Sequence, residues 1–290
     1  MRKDWSIKEL LIWTTRYFDD KGMLEPRLEA EILLAHVLQR NRVYLYANYE
    51  EPVNEAERQQ FREYIMRRTK GEPAAYITGQ REFMSLTFQV SPQVLIPRPE
   101  TEVLVEASLG LIQQGGIKRV CDVGTGSGAI AISLAHYAPE VEVFAVDISP
   151  QALSVAGRNA SLHQAAIHFY SGDLLEPLEE GLDLDLIVAN LPYLTRAQLE
   201  KAEVGVKNFE PQLALLADDD GLSIYRRLVP QAHGKLRRGG YFLWEIDPSQ
   251  ETAARELIRD WDEAEILTDY GGRSRVVKGR RRQENEDRIL

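Results

Sequence analysis

Residues 184–193 are Leu-Asp-Leu-Ile-Val-Ala-Asn-Leu-Pro-Tyr, and this stretch decides how the second half of the chain folds. Its first six residues form an apolar run that is typical of a buried strand in a parallel sheet. Asn190, Leu191, Pro192 and Tyr193 then follow at the carboxyl end of that strand, where open α/β sheets bind their ligands. A carboxamide that both accepts and donates hydrogen bonds, together with a flat aromatic ring, suits a planar nitrogen nucleophile such as an amide or an amino-purine.

Strands and helices alternate on both sides of this stretch, which predicts an α/β fold with a parallel sheet and helices on both faces. Strands are predicted at 119–123, 141–147, 167–170, 184–189, 240–246, 264–269 and 274–278. Helices are predicted at 103–114, 127–137, 150–162, 219–237 and 249–259. The last two strands are separated by a segment too short for a parallel crossover, so we expect them to pair as an antiparallel hairpin at one edge of a seven-stranded sheet.

The composition of the chain changes along its length and predicts four segments. Residues 1–72 are expected to form a helical domain, because Pro26 suits a first helical turn and an apolar stripe with helical spacing follows it. Residues 73–102 contain turn residues and strand-like alternation, which predict a β-hairpin linker. Residues 103–280 are expected to form the sheet domain, and residues 281–290 a charged tail.

The overall composition limits the class of protein. The chain has 290 residues and a formal charge of −10, which disfavours steering toward nucleic acid phosphates, so direct nucleic-acid binding is not expected. Cys121 is the only cysteine, and its apolar neighbours predict a small buried strand residue. The N-terminus lacks the apolar core of a signal peptide, and no run approaches the roughly 20 apolar residues of a membrane span. We therefore expect a cytoplasmic protein with no membrane attachment.

A glycine-rich loop, Gly124-Thr125-Gly126-Ser127-Gly128, follows the first predicted strand of the sheet. The missing side chains let the backbone approach a ligand, and the helix N-terminus that follows favours polar or anionic groups. Asp147 ends the next strand about twenty residues further on, where a carboxylate can accept hydrogen bonds from both hydroxyls of a ribose. The spacing also fits the dinucleotide-binding fingerprint, so the loop alone leaves a nicotinamide-dependent enzyme as an alternative.

Three further residues extend this predicted nucleotide site. Asp173 follows the third strand, where its carboxylate can accept a hydrogen bond from an exocyclic adenine amine while Leu174 packs on the ring. Asp122 can either anchor the glycine loop or meet the amino group of a methionine moiety. No cluster of histidines, cysteines and carboxylates with metal-ligand spacing occurs in the sequence, so no metal is expected.

The tetrapeptide of residues 190–193 separates the two cofactor classes. A dehydrogenase needs an acid positioned for proton transfer beside the hydride acceptor, and none of the five histidines lies near this strand end. A methyltransferase that acts on nitrogen needs carbonyl oxygens to accept the N–H groups of its acceptor, and Asn190 and the main-chain carbonyl of Leu191 can supply them. Positioning provides much of the catalysis in such a reaction. The two motifs together therefore predict methyl transfer from S-adenosylmethionine to nitrogen.

Several stretches outside these motifs resemble the HemK/PrmC-type protein-(glutamine-N5) methyltransferases, which modify peptide chain release factors. The resemblance covers nearly the whole chain and is most specific between the helical segment and the sheet. The matching stretches are residues 26–36, 71–79, 82–83, 94–102, 208–215, 220–222 and 273–279. Generic methyltransferases share the glycine loop but lack these stretches.

The chain departs from this family at one residue of the acceptor motif. The family's usual motif is Asn-Pro-Pro-Tyr, whereas this chain has Leu191 at the second position, as in the ribosomal RNA adenine-N6 dimethyltransferases. The expected contribution of that residue is a backbone carbonyl, which leucine also has, although a proline would restrict the backbone more. An adenine-N6 methyltransferase acting on RNA or DNA therefore stays as the alternative.

The resemblance implies a class I methyltransferase fold, S-adenosylmethionine as the cofactor and the glutamine of a release factor's Gly-Gly-Gln loop as the acceptor. By the same resemblance, residues 124–128, Asp147 and Leu174 bind the cofactor, and Asp173 is added to them from its position. Asn190 touches both cofactor and substrate and, with Tyr193, is expected to be catalytic. Leu191, Pro192 and Tyr193 line the acceptor, and the N-terminal helices bind the release factor. Arg98 and Glu100 are candidates for a lid over the cofactor.

Overall fold

The structure is a computed structural model that describes residues 5–218 and 220–283. Contacts between Cα atoms divide the chain into two compact units. The first contains the described residues up to Gln80 together with Glu203–Phe209, and the second contains Arg81–Ala202 and the described residues from Glu210 onward. The division between Gln80 and Arg81 falls within the predicted linker, residues 73–102. No pattern in the sequence predicted that Glu203–Phe209 belongs to the first unit.

The first unit is helical, as the sequence predicts. Pro26 begins the second helix, and Ser6 and Asn54 form capping boxes at the starts of the first and fourth helices. One apolar core, which includes Leu11, Phe18, Leu33, Leu34 and Phe61, joins these helices. The helices are α1 (Ile7–Asp20), α2 (Pro26–Val37), α3 (Arg42–Ala47), α4 (Glu55–Arg68), α5 (Ala74–Thr78) and, from the later segment, α10 (Val204–Phe209).

The second unit is built on a seven-stranded sheet, and a separate two-stranded sheet pairs β1 (Gln80–Phe83) with β2 (Leu86–Gln89). The strands of the large sheet are β3 (Arg119–Val123), β4 (Glu142–Asp147), β5 (Ile167–Ser171), β6 (Leu184–Ala189), β7 (Leu236–Glu245), β8 (Asp262–Thr268) and β9 (Ser274–Arg280). The α-helices of this unit are α6 (Glu102–Gln113), α7 (Ala129–Tyr137), α8 (Pro150–Leu162), α9 (Arg196–Lys201), α11 (Ser223–Lys235) and α12 (Glu251–Leu257). Short 3₁₀ helices lie at Pro99–Thr101, Gln212–Ala214 and Pro248–Gln250.

The strand order of the large sheet is β5-β4-β3-β6-β7-β9-β8. Strands β3 to β7 are parallel, and β9 pairs antiparallel with both β7 and β8, which confirms the predicted hairpin at the sheet edge. The chain proceeds from β3 toward one edge and from β6 toward the other, so the sheet has its topological switch point between these two strands. Val123 and Ala189 are partners in the register, and therefore the residues that follow them begin side by side. Open α/β sheets bind ligands at such a point.

The apolar core of the second unit lies on both faces of the sheet. Successive strand residues point to opposite faces, so Val120 and Leu186 belong to one cluster whereas Cys121 and Ile187 belong to the other. Cys121 is fully buried, as its sequence context predicts. Within the described part of the chain, no helix combines the length and the apolar character needed to cross a membrane.

The predicted elements differ from the observed ones chiefly around β7. The helix predicted at 219–237 begins only at Ser223, and the following strand begins at Leu236 rather than at residue 240. Helices α9 and α10 were not predicted, because each has only six residues and too short an apolar stripe to be recognised. Most of the predicted charged tail, residues 284–290, lies outside the described residues.

Candidate active site

A cavity of about 330 Å³ lies at the carboxyl ends of the central strands in the second unit. Its volume is at the lower end of the range for small-molecule sites. Most of the predicted site residues line it, namely Gly124, Thr125, Gly126, Ser127, Asp147, Asp173, Leu174, Asn190, Leu191 and Pro192. Gly128 and Tyr193 are outside this lining. The two motifs that the sequence places about 60 residues apart are therefore brought to one crevice by the parallel order of the strands.

The glycine loop is held by backbone hydrogen bonds to the neighbouring strand. The N–H groups of Gly124 and Thr125 both donate to the carbonyl of Val146, at 2.8 and 3.0 Å. Gly124 has a φ of 77°, and a Cβ atom there would lie 2.5 Å from Cδ2 of Leu191. Only glycine permits this backbone conformation together with the close approach of the acceptor motif. Gly128 instead caps α7 and packs against α8, so it shapes the loop from outside the cavity.

Asp147 connects the glycine loop to the end of β4. Its two carboxylate oxygens accept hydrogen bonds from the N–H groups of Gly126 and Ser149, each at 2.8 Å. Burial raises the pKa of this carboxyl above its ordinary value, and the two backbone donors oppose that shift. A carboxylate oxygen can accept more than one hydrogen bond, so hydroxyl groups of a ligand can still donate to Asp147.

Asp122 anchors the glycine loop, which is the first of its two predicted roles. One carboxylate oxygen accepts hydrogen bonds from the Thr125 hydroxyl at 2.7 Å and from the Ala131 N–H at 3.2 Å. The other oxygen, Oδ1, is buried without a hydrogen-bond partner among the described residues. Burial raises the pKa of Asp122 to about 7, and the nearby charge of Asp147 adds to the shift.

The loop after β5 forms another side of the cavity. Asp173 forms an ion pair with Arg227, and both residues line the cavity. Leu174 is buried and has a φ of 52°, a left-handed backbone conformation that is uncommon for leucine. Leu174 lines the cavity in this conformation, and Arg227 pairs with the Asp173 carboxylate that the sequence assigns to an adenine amine.

Hydrogen bonds that involve hydroxyl groups hold the acceptor motif, residues 190–193, in place. Nδ2 of Asn190 donates to Oγ1 of Thr101 at 3.0 Å. The Leu191 N–H donates to the Tyr225 hydroxyl at 3.0 Å, and that hydroxyl donates to the backbone carbonyl of Glu245 at 2.9 Å. The Tyr193 hydroxyl donates to Oε1 of Glu245 at 3.3 Å. Each of these contacts comes from a residue at least 34 positions away in the sequence.

Glu245 lies at the end of β7 and connects several of these contacts. Its Oε2 accepts a hydrogen bond from the Thr101 hydroxyl at 2.6 Å, and the side chain is fully buried. Burial raises its pKa to about 7, against the opposing effects of the Thr101 hydrogen bond and the Arg275 charge. Sequence reasoning missed Thr101, Tyr225 and Glu245. The available signal was a lone carboxylate at the carboxyl end of an apolar strand, which is the same signal that identified Asn190.

The segment before α6 contributes to one wall of the cavity. Arg98 lines it and forms an ion pair with the buried carboxylate of Glu210, which also accepts a hydrogen bond from the Ile96 N–H at 3.2 Å. Glu100 is not part of the lining. Of the two residues predicted to face the cofactor, the structure therefore places only Arg98 at the cavity.

Comparison with known proteins identifies the family. The PrmC N-terminal domain matches residues 9–79, and the methyltransferase small domain matches residues 101–213. The release factor glutamine methyltransferase of Koribacter versatilis (strain Ellin345) is 45% identical over 276 residues, which cover 95% of this chain and 99% of that protein. Its counterpart in Moorella thermoacetica is 46% identical over 268 residues, which cover 91% of this chain and 94% of that protein.

The chain belongs to the release factor glutamine methyltransferase family. It is thus a methyltransferase, and the adenine-N6 alternative is not favoured. Among solved structures, the 16S rRNA N2 G1207 methyltransferase of T. thermophilus in complex with AdoMet and guanosine has a TM-score of 0.53 at 21% identity, over 70% of this chain and 50% of that chain. At this identity the likeness shows the fold alone, and it agrees with the predicted class I methyltransferase sheet.

Leu191 gives the acceptor motif a hydrogen bond that a proline at the same position would lack. We expect Leu191→Pro to lower the free energy of unfolding by about 1–3 kcal/mol, because the Tyr225 hydroxyl loses its donor and the contact with Gly124 changes. Urea denaturation of Leu191→Pro, Tyr225→Phe and the double variant measures this effect. The shared hydrogen bond predicts that the double variant loses less stability than the sum of the two single losses. Additive losses would show that the two residues are not coupled.

Proposed function

We infer that this protein transfers a methyl group from S-adenosylmethionine to the side-chain amide nitrogen, N5, of the glutamine in the Gly-Gly-Gln loop of a peptide chain release factor. The family relationship over nearly the full chain supports the substrate class. The methyltransferase domain supports the cofactor, as does the crevice at the switch point of the sheet.

The orientation of the Asn190 carboxamide is the observation that carries this proposal. Its Nδ2 donates to Thr101, and the two ends of a carboxamide point in different directions, so Oδ1 faces away from Thr101. Asn190 itself lines the cavity beside the glycine loop. An acceptor oxygen at this place suits a substrate that presents N–H groups, as the carboxamide of glutamine does.

The predicted cofactor residues fit S-adenosylmethionine by their chemistry. Gly124 and Gly126 present backbone without a side chain, Asp147 can accept from ribose hydroxyls, and Leu174 offers an apolar contact for a purine ring. Asp173, paired with Arg227, lies at the same wall. When bound, the cofactor supplies an electrophilic methyl carbon on a sulfonium sulfur, which accepts the electron pair of the broken C–S bond.

The chain's own residues position the acceptor nitrogen. An amide nitrogen is a weak nucleophile because its lone pair is delocalised into the carbonyl group. Asn190 Oδ1 and the Leu191 carbonyl would accept its two N–H bonds and hold the nitrogen toward the methyl carbon. Pro192, which lines the cavity, would pack against the amide plane. Tyr193 lies outside that lining and would support the motif through its hydrogen bond to Glu245. Such positioning lowers the activation barrier, because the entropy of bringing the two reactants together is already lost on binding. The new N–C bond would form as the C–S bond breaks, and the surplus proton would then leave the nitrogen to water.

Mass spectrometry of a release factor incubated with the protein and S-adenosylmethionine tests this function. We expect one added methyl group, on the glutamine of the Gly-Gly-Gln loop, in a release factor purified without prior methylation. The matched control is a release factor with alanine at that glutamine, which should gain no methyl group. Transfer to another residue, or no transfer when cofactor binding is confirmed by calorimetry, would contradict the proposal, and methylation of an adenine-containing RNA would favour the alternative acceptor.

The first unit is proposed to bind the release factor outside its Gly-Gly-Gln loop. The match of residues 9–79 to the PrmC N-terminal domain supports a contribution specific to this family. Because its proposed substrate acts in translation, the cytoplasm is the expected location of the enzyme.

A further inference from the structure

We propose that Glu245, acting through the hydroxyl of Thr101, is a positioning residue that determines which end of the Asn190 carboxamide faces the substrate. This inference rests on the proposed function, because it concerns how the acceptor amide is held. It adds two residues, Thr101 and Glu245, to those that the sequence motifs identify.

The direction of the hydrogen bonds follows from the charge of Glu245. An ionised carboxylate can only accept, so the 2.6 Å contact between Glu245 Oε2 and Thr101 Oγ1 uses the single hydroxyl proton of Thr101. The 3.0 Å contact between Thr101 Oγ1 and Asn190 must therefore be donated by the Asn190 NH2 group. Each hydrogen bond determines the next, and together they turn Oδ1 of Asn190 away from Thr101.

The reverse orientation of Asn190 would oppose catalysis. With the carboxamide turned over, its NH2 group would face the N–H groups of a glutamine side chain, and two donors would meet without an acceptor. We call the two hydrogen bonds from Asn190 to Thr101 and from Thr101 to Glu245 the relay. The relay favours a substrate whose methyl-accepting group carries N–H donors.

The surroundings of Glu245 support a positioning role. Its second oxygen accepts from Tyr193, and its backbone carbonyl accepts from Tyr225, which in turn holds the Leu191 N–H. One residue thus contacts the acceptor motif by three routes. Burying a carboxylate costs free energy, which raises its pKa. The hydrogen bonds that the Glu245 side chain accepts come from Thr101, which contacts Asn190, and from Tyr193 of the acceptor motif.

The protonation of Glu245 should interrupt the relay, since a protonated carboxyl can donate to Thr101 and release the orientation of Asn190. The groups that face Glu245 are Thr101, Tyr193 and Tyr225, with Arg275 on β9 favouring the charged form and Glu100 opposing it. Its pKa is raised to about 7, so the ionised fraction and the activity should both fall as the pH drops through 7. Asp122 has a similar pKa, and the variants below separate the two contributions.

The test compares the full-length protein with Thr101→Val, which removes the hydroxyl at nearly constant volume, and Thr101→Ser, which keeps it. Thr268→Val, at an exposed position on β8, is the matched control. We expect Thr101→Val to lower kcat/KM for the release factor about tenfold or more, with little change in the Kd for S-adenosylmethionine. In this variant, the part of the activity loss toward pH 6 that comes from protonation of Glu245 should disappear. Thr101→Ser should retain the pH profile and most of the activity.

A second measurement reads the relay without the substrate. In protein labelled with ¹⁵N at asparagine, the Asn190 NH2 protons should exchange slowly with water in the unaltered chain and in Thr101→Ser, and faster in Thr101→Val. Equal exchange in all three, or an unchanged pH profile in Thr101→Val, would overturn the relay. If the unaltered chain does not methylate the release factor at all, the proposed function fails, and the exchange rates then decide whether the relay exists.

Discussion

Replacing Asn190 by alanine is expected to reduce methyl transfer to the release factor by about a thousandfold or more. The substitution removes the oxygen that would accept the N–H groups of the glutamine, and comparable single contacts at reacting centres contribute a factor of about 10²–10³. It also removes the partner of Thr101 in the relay. Single-turnover assays with purified release factor, followed by mass spectrometry, measure the loss.

Two controls make this result specific to the carboxamide. Gln113→Ala removes an exposed carboxamide at the end of α6 and should leave the rate unchanged. Binding of S-adenosylmethionine to Asn190→Ala should be weaker but measurable, because residues 124–127 and Asp147 are intact. Near-normal turnover by Asn190→Ala would remove this residue from the reaction.

Gly221→Ala is expected to have the second large effect, on both stability and activity. Gly221 has a φ of 83°, and an added Cβ would lie closer than 3.0 Å to the Tyr193 carbonyl oxygen and to Nε2 of Gln250. Gln250 donates to that same carbonyl at 3.1 Å, so the new methyl group must displace the end of the acceptor motif. We expect the free energy of unfolding to fall by about 3 kcal/mol or more, and kcat/KM to fall by at least about tenfold.

The chain offers a matched control for the backbone part of this effect. Gly181 has a φ of 81°, and no atom of the described residues lies within 4 Å of an added Cβ, so Gly181→Ala carries only the left-handed penalty of about 1–2 kcal/mol. Urea denaturation and kcat/KM measured on both variants separate the penalty from the clash. Equal losses in the two variants would show that the contact with Tyr193 has no consequence.

Local sequence patterns predicted the elements of the sheet and the ends of the strands that hold the site. The apolar run before Asn190 and the glycines after β3 identified two segments at strand termini, and both line one cavity. The same patterns gave the helical character of the first unit and the hairpin of β8 and β9. Hydrophobic periodicity and the residue types that form turns are local properties, and therefore a single sequence is enough to identify them.

The predictions for individual side chains were less complete. Asp122 lies near the end of β3, Asp147 ends β4 and Asp173 follows β5. The structure also shows partners that the sequence did not indicate, such as Arg227 for Asp173. Glu100 was expected at the cofactor and does not line the cavity. Hydrogen-bond partners depend on side-chain directions, which a strand-end position alone does not specify.

By itself, the sequence determined the fold class, the two motifs at the crevice and the family resemblance. Each of these depends on patterns within short stretches of neighbouring residues. Only the tertiary structure decided that Thr101 and Glu245, which lie 144 positions apart, form a hydrogen bond and that Thr101 also bonds to Asn190. That meeting depends on the order and register of β6 and β7 and on where α6 begins. Hydrogen bonds act only over about 3 Å, so the direction of the Asn190 carboxamide is set by packing of distant segments rather than by the motif that contains it.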